Sequence, residues 1–219
     1  MISASSDLVT PNLSQTEKIQ EHIEPKIDGF LASLPKPAQL SADERRGILA
    51  RYTAVLEGNF IYWMTGAYLA VKSEEARALI LENLHEEVRD SHPLMMRKFA
   101  IAANAIPTDS DALAINRNLT NVRLFIGRLS AVRIVTMMAF FEGLLQRFMP
   151  YLAELAERQG SAEFEYTDVH GVCDIAHTQG LYRALQAEIE LSDEPLPAPK
   201  DLFEGVELLR TLLQNTITA

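Results

Sequence analysis

Residues 135–149 read VTMMAFFEGLLQRFM, an apolar stretch that carries one acid, Glu142, at its middle. It shows no strand-like alternation and sits inside a longer helical pattern running from Ser130 to about Gln159. A carboxylate flanked by Met137, Met138, Phe140, Phe141, Leu144 and Leu145 is costly to bury unless it is paired or bound to a metal. The plainer alternative puts Glu142 on the solvent face of the helix, or in a pair with Arg133 or Arg183.

Outward from this segment the pattern stays helical. Ser14 can cap a first helix to about Leu34, with a kink at Pro25, and Leu-Pro-Lys-Pro at 34–37 ends it. Ser41 and Glu44 form a capping box for a second helix over about 42–71, with Glu57 mid-helix. A third starts after Ser73 and continues through ENLHEEVRDSHPLMMRKFAIAANA, kinked where Pro93 follows His92. A fourth covers about 111–129. After the 130–159 helix, Thr167 or Asp168 can cap a sixth over about 168–190, and the EPLPAPK linker leads to a last one at about 201–215. Seven helices, with neither strand candidates nor an internal repeat, predict an all-α bundle. The domain reading is an arm at 1–12 and one helical domain at 13–219.

The chain has 219 residues, 47% hydrophobic and 23% charged, which suits a globular fold. A net charge of −10 argues against nucleic acid or an anionic membrane as partner, since phosphate binding needs a clustered Lys/Arg footprint. The lone cysteine, Cys173, allows neither an internal disulfide nor a multi-cysteine zinc site and points to a reducing compartment. With no basic-then-apolar start and no apolar run of about 20 residues, the expected location is the cytoplasm.

The strongest chemical signal is His170-x-x-x-Asp174-x-x-His177, because steps of four and three return to one helical face. On the third helix Glu82, His85, Arg89 and His92 follow by three, four and three, with Glu86 beside them. Glu57 stands among apolar and aromatic residues in TAVLEGNFIYWM. Each alone also fits an ordinary polar face. Together they put acids and imidazoles at mid-helix on four long helices, as dinuclear carboxylate sites in bundles require, and the donor set suits iron or manganese.

On these residues the sequence resembles the heme-oxygenase-like diiron oxidases and oxygenases, whose seven-helix fold is related to that of the thiaminase and PQQ-synthesis proteins. The resemblance covers about residues 40–190. It rests on Glu57, on Asn83-Leu84-His85-Glu86-Glu87 with His92-Pro93, on Glu142, and on His170/Asp174/His177. It implies that His92, Glu142, His170, Asp174 and His177 bind two irons. Glu82 shares the His92 stripe by helical geometry, whereas the order of the acidic motif favours Glu86, and His85 stays open beside them. Glu57 with Glu82 resembles the N-oxygenase branch.

The expected enzyme is a non-heme diiron oxygenase using O2 and an external electron donor to oxidise a small amine or amino-acid-derived metabolite. N-oxygenation in natural-product biosynthesis is the first expectation, and oxidative C–C cleavage to an alkene the second. A thiaminase-like hydrolase using Cys173 is the alternative from another class. No catalytic residue beyond the metal ligands is assigned, and a homodimer is left open. The pocket walls are sought around Met138, Phe60, Tyr62 and Trp63, and a substrate-carboxylate arginine among Arg123, Arg128, Arg133 and Arg183.

Overall fold

The computed structural model describes residues 14–219, so the arm expected at 1–12 lies outside the described residues. Every regular element among the described residues is helical: α1 (Gln15–Ala32), α2 (Ala42–Leu56), α3 (Asn59–Ala70), α4 (Glu74–Arg89), α5 (His92–Ala102), α6 (Asp109–Ile126), α7 (Ala131–Arg158), α8 (Glu165–Leu191), α9 (Pro199–Leu202) and α10 (Glu204–Thr218). Ser14 and Ser41 form capping boxes with Glu17 and Glu44, and the Ser73 hydroxyl accepts from the Ala76 amide. Pro25 is accommodated inside α1. The start of α8 departs from expectation. It begins at Glu165, with Phe164 at the cap, and the Thr167 hydroxyl bonds back to the Phe164 carbonyl.

α7 is the axis of the bundle. Its residues from Ile134 to Leu145 are all buried, and it packs along α8 and against α1, α2, α3 and α10. A short loop joins α7 to α8, so the two run antiparallel. Phe140, Phe141 and Phe148 fill the core with Tyr52 and Trp63. No helix among the described residues is long and apolar enough to cross a membrane.

Two breaks depart from the expected seven helices and matter for the site. The 42–71 helix is split because Glu57 caps the end of α2 and Gly58 takes the left-handed conformation at φ 74°, where a side chain would be strained. The third helix is split at Ser91, a non-glycine residue with φ 59°, and α5 restarts at His92 with Pro93 in its first turn. The last expected helix is likewise divided, into α9 and α10.

Candidate metal centre

Four helices converge on one buried polar cluster. α4 turns Asn83 and Glu87 inward with Ile80, at steps of three and four, and sets the half-buried Glu86 beside them. His92 enters at the first turn of α5, Glu142 from the middle of α7, and His170, Asp174 and His177 from one stripe of α8. Glu142 is 1% exposed, so the solvent-face alternative does not hold, and among the described residues no arginine pairs with it.

The cluster has two halves. In the first, ligand atoms of Glu87, His92 and His170 lie within 4.8 Å of one another. His92 Nδ1 is 2.7 Å from Glu87 Oε1, and His170 Nε2 is 3.9 Å from the same oxygen. His170 Nδ1 is 2.8 Å from the Tyr166 carbonyl, which can only accept, so Nδ1 carries the proton and Nε2 presents its lone pair to the cluster. In the second half, Cys173, Asp174 and His177 approach within the same 4.8 Å. His177 Nε2 contacts Glu86 Oε2 at 2.8 Å, while its Nδ1 stands 3.6 Å from Asp174 and 3.7 Å from Glu142, both beyond hydrogen-bond length. Glu142 joins the halves: it reaches His177 on one side and borders the same cleft as Glu87, His92 and His170 on the other. Its Oε1 accepts from the Asn83 amide at 3.0 Å.

Burial and crowding decide the proton affinities. Burial raises the Glu87 carboxyl, and the hydrogen bond from His92 only partly offsets it. Burial and the neighbouring Glu142 charge push Asp174 well above the usual carboxylate range. Burial pushes His170 down to about 4. For His177 burial acts downward too, but pairing with Asp174 and Glu142 wins and holds the imidazole up at about 11. In His92 the bond to Glu87 likewise outweighs burial.

The donor set fits metal ions. Asp174 Oδ2, His177 Nδ1 and Asn83 Oδ1 are buried without a hydrogen-bond partner among the described residues, an arrangement that costs about 1–3 kcal/mol per group unless something binds there. Four carboxylates, Glu86, Glu87, Glu142 and Asp174, match the charge of two divalent ions, and three imidazoles complete the set. Cys173 is a poor candidate nucleophile. Burial and the adjacent Asp174 raise its thiol far above the usual range, so the reactive thiolate is suppressed.

A family model for iron-containing redox enzymes matches residues 49–204. The chain belongs to that family. It is therefore an oxidoreductase with the heme-oxygenase-like helical fold, and the match spans every residue of the cluster. No curated protein matches the chain.

The structure gathers His92, Glu142, His170, Asp174 and His177, and does not gather Glu57 or Glu82. Glu57 is a helix cap, 43% exposed and paired with Arg97, because α2 ends at Leu56 instead of running on. Glu82 faces solvent, as does His85, because the left-handed Ser91 resets the helical phase and cancels the stripe that a continuous helix would give Glu82 and His92. Sequence reasoning missed Glu87. Its signal was the Ile80, Asn83, Glu87 spacing within α4 taken alone.

A narrow cleft leads from the surface to the first half, walled by Leu56, Phe60, Ile61, Met96, Leu145 and Tyr166. Its interior has room for about two water molecules. Phe60 is the one expected wall residue that lines it. Trp63 and Met138 are buried in the core and Tyr62 is 45% exposed. The expected carboxylate-binding arginines are engaged elsewhere: Arg123 with Asn59, Arg128 and Arg133 with Glu204, and Arg183 with Glu75.

Proposed function

We propose that the protein is a diiron oxygenase that uses O2 and external electrons to oxidise the amine nitrogen of a small, amino-acid-derived metabolite. The observation that carries this reading is the pair of three-residue half-sites with Glu142 between them. Glu87, His92 and His170 would hold one iron, Glu86, Asp174 and His177 the other, and Glu142 both. Glu57 and Glu82 reach this set only if the breaks at Gly58 and Ser91 reorganise when metal binds.

The irons, when bound, supply the electrons and Lewis acidity for O2 reduction. The chain's own residues do the rest. The Tyr166 carbonyl fixes the His170 tautomer, and Tyr166 is itself held by a 2.7 Å hydroxyl contact with Tyr52. Asn83 orients Glu142. The apolar walls keep bulk water from the cluster.

Those walls also favour a second reaction at the same centre, oxidative C–C cleavage of an acid with an apolar chain to give an alkene. Oxygen uptake with an external reductant and a panel of amino acids and amines tests the proposal. N-hydroxylated product supports the first reaction and alkene with a one-carbon fragment the second. Uptake that no substrate stimulates, or full turnover by metal-free protein, would sink both.

A further inference from the structure

A second cavity, of about 430 Å³, lies where the start of α7, the end of α8 and the chain between α3 and α4 meet. It is separate from the metal centre: Glu188, in its wall, is about three turns of α8 beyond His177, or about 16 Å. Glu188 is 4% exposed, and its Oε1 accepts from the backbone amides of Lys72 and Ser73 at 2.7 and 2.6 Å. Its Oε2 has no hydrogen bond, and the carboxylate no ion pair, among the described residues, although a charge so deeply placed is costly without a cation beside it.

Another part of the wall has the opposite character. Ser130 gives α7 no side-chain cap, and the amides of Ala131, Val132 and Arg133 donate to nothing among the described residues, the first bond of the helix being made by the Ile134 amide. Ser130, Ala131 and Val132 line the cavity, so the positive end of a 28-residue helix opens on it. Lys72 lines it as well, exposed and in no ion pair among the described residues. The lining also has apolar side chains, of which Leu129 and Leu191 are 48% and 55% exposed.

We propose that this cavity binds a small zwitterion with an apolar body, its ammonium group on Glu188 Oε2 and its carboxylate on Lys72 and the first amides of α7. That is the chemistry of a free apolar amino acid or a short apolar peptide, and the volume is that of small-molecule sites. A simple anion would meet Glu188 and the exposed Asp193 and Glu194 of the same lining. A simple amine would leave the α7 amides and Lys72 unanswered. A zwitterion satisfies both sets.

The proposal does not depend on the metal centre, and the test keeps the two apart. Leucine, leucylleucine, isoamylamine and isocaproate are titrated by calorimetry into the full-length protein and into Glu188→Gln, Lys72→Gln and His170→Ala. Glutamine keeps an oxygen for the Lys72 and Ser73 amides, and the exposed Lys72 carries the test if Glu188→Gln fails to fold. The expected result is one of the two zwitterions bound about tenfold or more tighter than the amine or the acid. Its affinity should drop about tenfold or more in Glu188→Gln and about threefold or more in Lys72→Gln, and stay unchanged in His170→Ala. The tighter zwitterion shows whether a free amino acid or a peptide is the source. No binding of either zwitterion, amine or acid bound as tightly, or parental affinity in Glu188→Gln or Lys72→Gln would overturn the proposal. So would binding that is lost in His170→Ala and kept in Glu188→Gln, which would put the ligand at the metal centre.

Discussion

Replacing Asn83 by Leu tests whether Glu142 is the carboxylate that joins the two halves of the centre. The Asn83 amide donates to Glu142 Oε1 at 3.0 Å, with the two residues 4% and 1% exposed, so no water can take its place easily. A hydrogen bond to a charged group contributes about 1.5–3 kcal/mol, which at about 1.4 kcal/mol per decade is roughly 10- to 100-fold in affinity. Groups that orient metal ligands have effects of the same size. Leucine has the same branching and removes the unpartnered Asn83 Oδ1, which offsets part of the roughly 1–3 kcal/mol lost when Glu142 Oε1 is left without its donor. Ferrous iron is titrated anaerobically against a competing chelator, with thermal unfolding followed in parallel. The expected outcome is iron affinity reduced 10- to 100-fold with a melting temperature within a few degrees of the parent. Affinity within twofold of the parent would refute the role given to Asn83 and with it the placement of Glu142 at the metals.

Further outcomes follow from the same geometry. Glu87→Gln should lower iron affinity about as much, because it removes the carboxylate shared by His92 and His170; unchanged affinity in the same titration would exclude Glu87 from the ligand set. In metal-free protein, His170 has its proton affinity lowered to about 4, so its contribution makes stability rise with pH up to its ordinary value near 6.5. His177 is raised to about 11, so its contribution is fully present below about 6.5 and fades toward 11, and the raised Asp174 acts in the same direction from acid pH upward. The metal-free melting temperature should therefore fall between pH 6.5 and 9, and a rise over that window would contradict these pairings. Ser91→Val should cost about 1–2 kcal/mol because a β-branched residue resists φ 59°, whereas Ser91→Gly should be tolerated; denaturant unfolding checks both.

Much of the fold was legible because capping and periodicity are local. Ser14, Ser41 and Ser73 announce helix starts by a side-chain oxygen near an unpaired amide, and the α8 stripe is a property of one uninterrupted helix. The misplaced acids share one cause. Helical phase carries only as far as the helix does, and the breaks at Gly58 and Ser91 cancel the continuous stripes that would turn Glu57 and Glu82 inward. The signal at Gly58 was in plain view, since an acid followed by glycine is an ordinary helix end. Pro93 marks the break after His92, but nothing in the sequence marks the left-handed conformation that Ser91 adopts just before it. Glu87 was hidden for the same reason: its partners His92 and His170 arrive from other helices, and its place among them appears only when α4 is phased by itself.

Iron stoichiometry tests the central claim most directly. Anaerobic titration with ferrous iron, read by bound metal per chain, should give two for the parent, falling to about one in His170→Ala and about one in His177→Ala, because each substitution opens a different half of the cluster. A parent that binds one iron or none, or either variant that still binds two with parental affinity, would contradict it.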